Sequence, residues 1–100
     1  MTKVLIVDDD TVFAANLAKN LRLDGYEAAT AASGEAALLF IKENNPDCLV
    51  CDLKLPDIDG DEVIRKARQI NPKIVSFMIS AFVDQGLEER LKKLGVLGFM

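Results

Sequence analysis

One hundred residues, half of them apolar, with a formal net charge of −4 make a single domain with enough apolar material for a real core and exclude a disordered chain. The acidic balance offers no basic surface to nucleic acid or anionic lipid. The absence of histidine removes Ser-His-Asp and Cys-His nucleophile systems and His-containing zinc sites, leaving carboxylates, hydroxyls, lysines and two thiols to carry any chemistry.

The chain opens with Val4-Leu5-Ile6-Val7, an unbroken apolar run ended by Asp8-Asp9-Asp10. It is too short for a signal-peptide core and reads as a strand buried on both faces. No apolar run approaches membrane-spanning length, so the expected location is cytoplasmic. From Thr11 to about Asp24 the residues Phe13, Leu17 and Leu21, with Ala14 and Ala18 beside them, fall at helical spacing, and Gly25 supplies the stop. Residues 26–30 predict a short, more polar strand. Ser33-Gly34 opens a second helix through about Glu43, with Ala37, Leu38 and Ile41 inward, ended by Asn45-Pro46.

Leu49 and Val50 lie in the third strand. Gly60 to Asn71 is helical by its Val63, Ile64, Ala67, Ile70 pattern, with Asp61 and Glu62 in the first turn where the helix dipole favours them. A fourth strand, Ile74 to Ile79, is followed by a helix capped by Asp84 and carrying Leu87, Leu91 and Leu94. Val96 to Met100 begins a fifth strand.

The resulting (βα)4β string predicts an α/β, doubly wound, parallel five-stranded sheet with right-handed crossovers. Its polar second strand belongs at an edge, and the common order 2-1-3-4-5 puts the switch point between strands one and three. Asp8-Asp9 and Asp52 end those two strands, so sequence and topology nominate one site.

Cys48 and Cys51 sit three apart in a predicted strand. At ~3.3 Å per residue they lie ~10 Å apart on opposite faces, beyond the ~7 Å a disulfide spans. They are expected to be reduced core thiols. Asp52 beside Asp8 and Asp9 makes a like-charge cluster that must protonate a member or gather a cation, and oxygen ligands with room for water suit Mg2+. Helix capping needs Asp10 alone. Asp57-Ile58-Asp59-Gly60 fails the EF-hand register and is read as turn and helix-cap residues.

Together these residues resemble the receiver domain of two-component response regulators, and the match runs from Lys3 to Met100. "VLIVDDD" resembles the first strand and acidic pair, "CDLKLPDIDG" the phosphoacceptor strand and its loop, "MISAF" the hydroxyl-bearing fourth strand, and "LGVLGFM" the entry to the fifth. The resemblance implies a flavodoxin-like fold. It further implies that Asp52 accepts a phosphoryl group from a phosphohistidine on a partner histidine kinase or phosphotransfer protein. Asp9, Asp52 and the Lys54 main-chain carbonyl would bind Mg2+, with Asp8 acting mainly through a water. Ser80 would contact the phosphate, and Phe99 would be the switch aromatic. Phe82, near Ser80, is a candidate shield of the acyl phosphate from water.

In the family an invariant-type lysine and a fifth helix follow the position of Met100. Residues 1–100 are therefore expected to be a receiver domain that is incomplete at its C-terminus, with a half-covered sheet face that invites homodimerisation or exchange of elements between copies. Two other readings remain open. One is a phosphorylation-independent interaction module; the other is a Mg-dependent aspartyl phosphatase, which needs a general acid two residues after its nucleophile, where Lys54 stands. Neither nucleic acid nor membrane is an expected direct partner.

Overall fold

The computed structural model describes residues 2–79, 86, 89 and 92–93, and the backbone of 96–99. Asp84, Leu87, Leu91 and Leu94 of the predicted fourth helix, Ser80 and Phe82 lie outside them. The elements are β1 (Lys3–Val7), α1 (Thr11–Leu23), β2 (Glu27–Ala31), α2 (Gly34–Asn44), β3 (Cys48–Asp52), α3 (Gly60–Ile70), β4 (Val75–Ile79) and β5 (Val96–Phe99). The five strands form one sheet in the order β2-β1-β3-β4-β5, with every pairing parallel. This is the doubly wound, flavodoxin-like order, and the partly polar β2 is an edge strand as expected.

Alternation along the strands divides the core. Leu5, Val7, Leu49, Cys51 and Met78 pack with Ala37 and Ile41 of α2 and Val63, Ile64 and Ala67 of α3. On the other face Val4, Ile6 and Val50 pack with Ala14 and Ala18 of α1. Cys48 joins the α1 side and Cys51 the α2–α3 side, and both are free thiols. Burial raises the pKa of each, most strongly that of Cys51, whose Sγ lies against the Asp52 and Gly60 carbonyls.

The inner stripe of α1 differs from expectation. Its fully buried residues are Ala14 and Ala18, flanked by half-buried Leu17 and Leu21, whereas Phe13 is 40% exposed. The small side chains let the helix lie close on the sheet, so the widest apolar residue is pushed off the contact line. Ile70, at the last turn of α3, is likewise exposed, and Tyr26 lies outside β2.

Helix ends follow local chemistry. Asp10 caps α1 by accepting from the Phe13 amide at 3.0 Å, and Ser33 caps α2 by accepting from Ala36 at 3.2 Å. Helix α1 ends in a Schellman motif: Gly25, at φ 95°, donates to Arg22 O and Tyr26 donates to Leu21 O. Asp59 occupies the N-cap position of α3 without a side-chain cap bond.

Candidate functional site

The register of β1 against β3 pairs Val7 with Cys51, so the next residues, Asp8 and Asp52, emerge level at the carboxyl edge. The apolar strands end there because carboxylates cannot continue into the dry sheet interior. Asp9 follows on the turn into α1. One carboxylate oxygen from each of Asp8, Asp9 and Asp52 lies within 4.8 Å of the others, so the convergence expected from sequence is present.

The three differ in exposure. Asp8 is 6% exposed, Asp52 is half-buried and Asp9 is exposed. The Asp10 amide donates to Asp8 Oδ1 at 2.9 Å, and the Lys54 amide donates to Asp52 Oδ1 at 3.3 Å. Burial raises the Asp8 pKa above the usual carboxylate value; the Asp10 amide opposes this, and the charges of Asp52 and Asp9 reinforce it. A site that penalises its own negative charge, built from hard oxygens, fits a small divalent cation such as Mg2+.

The sign of the Asp8 effect gives an expected outcome. The folded chain holds this proton more tightly than the unfolded chain, so the stabilisation is full below the unfolded value of 3.8 and is lost as pH rises through the folded value. Asp8→Asn keeps an acceptor for the Asp10 amide and removes the charge. In chelator at neutral pH it is expected to raise Tm by a few degrees, with a smaller gain at pH 4. Melts at the two pH values check this.

The loop after Asp52 is pinned at both ends. The Leu53 amide donates to Ile79 O at 3.1 Å, and the Gly60 amide donates to Leu53 O at 2.8 Å. A Cβ at Gly60 would overlap the Asp52 carbonyl oxygen and crowd the Asp52 carbon and Leu53 Cα, so glycine is required where α3 meets β3.

Asp57 does more than turn the chain. Its Oδ1 accepts from Gly34 N at 2.8 Å and Ile58 N at 2.9 Å, and its Oδ2 accepts from Glu35 N at 2.8 Å. It therefore caps α2, an element 22 to 23 residues away in sequence. Sequence reading had no local signal for this partner.

A family model for the response regulator receiver domain matches residues 4–100. The chain belongs to that family. Relatives of this receiver domain include the transcriptional regulatory protein PrrA of Mycobacterium bovis, 40% identical over 79 residues, covering 79% of this chain and 34% of the relative. Sporulation initiation phosphotransferase F of Bacillus subtilis is 30% identical over 95 residues, covering 95% of this chain and 77% of the relative. A CheY-like receiver domain protein from Methanospirillum hungatei superposes with a TM-score of 0.94 at 27% identity, over 100% of this chain and 80% of that one. The chain thus spans about a third of the length of the Mycobacterium relative.

Receiver domains hold Mg2+ at an acidic pocket and interact with histidine kinases or phosphotransfer proteins, and the Asp8, Asp9, Asp52 group is an acidic cluster close enough to hold such an ion. Ser80 lies outside the described residues. Of Phe99 the backbone alone is described, in β5 opposite Met78. No helix among the described residues is long and apolar enough to cross a membrane.

Proposed function

We propose that Asp52 is the phosphoacceptor of a Mg2+-dependent transfer from a phosphohistidine on a histidine kinase or phosphotransfer protein, and that its phosphorylation switches an interaction surface. The observation that carries this reading is the Asp52 carboxylate lying among those of Asp8 and Asp9 at the switch point of the sheet. The name of the Bacillus relative, a phosphotransferase, supports the reaction class.

In the transfer an Asp52 carboxylate oxygen attacks phosphorus. An O–P bond forms as the N–P bond of the donor breaks, and that electron pair stays on the imidazole nitrogen. Asp9, Asp52 and the Lys54 main-chain carbonyl would hold Mg2+, with Asp8 acting mainly through a water, and the bound ion would supply charge compensation for the phosphoryl oxygens. The Lys54 amide on Asp52 Oδ1 fixes the rotation of the nucleophile before a donor arrives. Ser80 is assigned the phosphate contact, and Phe99 the switch on the side of β4 and β5. Catalysis by the chain concerns its own phosphorylation and dephosphorylation, not turnover of a free substrate.

Incubation with Mg2+ and a small-molecule phosphodonor, read by intact mass, tests this directly. One phosphoryl group is expected in Mg2+ and none in excess chelator. Failure to label under conditions that label an ordinary receiver domain would favour a phosphorylation-independent interaction module.

We place the chain in the cytoplasm and assign it the receiving step, without a contact to nucleic acid. The Mycobacterium relative is named a transcriptional regulator, and this chain spans 34% of it. Association between copies belongs to the same proposal. Among the described elements one helix, α1, packs on the face where Cys48, Phe77 and Ile79 are half-buried, against two on the other. Sedimentation velocity at high concentration is expected to show dimers or larger species. A single monomer boundary would contradict that.

A further inference from the structure

The Asp57 carboxylate has no part in the chemistry assigned above, yet it makes three hydrogen bonds to backbone amides, two of them across to another helix. The loop it belongs to, residues 53–59, carries both the Lys54 amide that orients Asp52 and the Lys54 carbonyl assigned to the metal. At its base the loop is fixed by Leu53 N to Ile79 O and Gly60 N to Leu53 O. At its apex, Asp57 is its polar tie to the rest of the fold among the described residues.

The anchor on the far side is firm. Helix α2 begins at Gly34, and its first amides have no partner within the helix. Asp57 takes those of Gly34 and Glu35, while Ser33 takes that of Ala36. The carboxylate also meets the positive end of the helix dipole, and the amides of Glu35 and Gly34 hold its pKa below the ordinary carboxylate value. Beside this contact the Ile58 side chain covers Gly34 so closely that a Cβ there would overlap it. Loop and helix are thus fitted by a charged clamp and an apolar contact side by side.

We propose that Asp57 is a positioning residue for the phosphoacceptor site: by clamping the 53–59 loop to the N-terminus of α2 it holds Lys54 in place to orient Asp52 and complete the Mg2+ site. The inference rests on the metal-site reading above. It makes the placement of α2, which contributes no ligand, a determinant of metal affinity.

Ser33 supplies the control, because its hydroxyl caps the same helix through the Ala36 amide, a bond within α2's own first turn and not to the loop. Asp57→Ala and Ser33→Ala both remove cap bonds from α2, and only the first frees the loop. Mg2+ titration by calorimetry is expected to show a loss of affinity of roughly 10-fold or more for Asp57→Ala, the lower end of what loss of an outer-shell partner costs, and near wild-type affinity for Ser33→Ala. Asp57→Asn, which keeps Oδ1 for Gly34 and Ile58 and loses the Glu35 bond, is expected to fall between and carries the test if the alanine variant does not fold.

Amide hydrogen exchange on the metal-free proteins gives a second reading. Residues 53–58 are expected to exchange faster in the Asp57 variants than in wild type or Ser33→Ala. Equal Mg2+ affinity in wild-type and Asp57-variant protein, or equal loss in the Asp57 and Ser33 variants, overturns the positioning role. A wild-type chain that binds no Mg2+ overturns the metal-site reading instead, and the exchange comparison then decides whether the clamp exists.

Discussion

Asp52→Asn is expected to take up no phosphoryl group under conditions that label the wild-type chain fully, and to remain folded. The amide keeps an oxygen to accept from the Lys54 amide and preserves the size of the side chain, so the strand end is undisturbed. It lacks the anionic oxygen that attacks phosphorus. It also lowers the charge of the cluster, so metal-free Asp52→Asn is expected to be at least as stable as wild type, as when a like charge is removed from a crowded site. Intact mass after phosphodonor treatment, paired with a thermal melt, checks both parts. Labelling that persists in the variant would place the acceptor on another residue.

Gly60→Ala is expected to cause a large loss of stability. The new Cβ would meet backbone, the Asp52 carbonyl, which cannot swing aside as a side-chain tip can. Relief requires α3 to back away from β3, disturbing the packing of Val63, Ile64 and Ala67 in the core. Overpacking of this kind costs about 1–3 kcal/mol, and each kcal/mol lowers Tm by roughly 4–8 °C in a domain of this size. Because the displaced carbonyl belongs to Asp52, phosphorylation is expected to slow beyond what the fraction unfolded explains. Thermal melts and phosphorylation rates on the same samples separate the two effects.

The order of elements was legible because each signal was local. Unbroken apolar runs marked buried strands, and glycine or asparagine marked helix stops at Gly25 and Asn45. The site was legible for a topological reason: a doubly wound sheet brings the ends of β1 and β3 together, so acids at both ends must meet. The acid run alone could have been helix capping; Asp52, 44 residues after Asp8, turned it into a site.

What escaped sequence reading depends on fit between distant elements. Phe13 falls at helical spacing with Leu17 and Leu21 in the sequence pattern, which weighs size, whereas close approach to the sheet buries the Ala14 and Ala18 beside them. Asp57 looked like a turn residue because its partners on α2 carry no side-chain signal; they are backbone amides whose need arises from the start of a helix. Asp59 looked like a cap by position and makes no cap bond. The buried Ser76 of β4, whose hydroxyl has no hydrogen-bond partner among the described residues, escaped as well, since a serine in a strand gives no sign of its burial.

Mg2+-dependent unfolding of the wild-type chain, followed thermally and repeated on an Asp9→Asn, Asp52→Asn double variant, tests most directly whether the acidic cluster is a cation site. A ligand bound by the folded state alone raises Tm with concentration by mass action. The account predicts a progressive rise for wild type and none for the double variant. A wild-type Tm that does not move with Mg2+, or rises equally in both proteins, would contradict it.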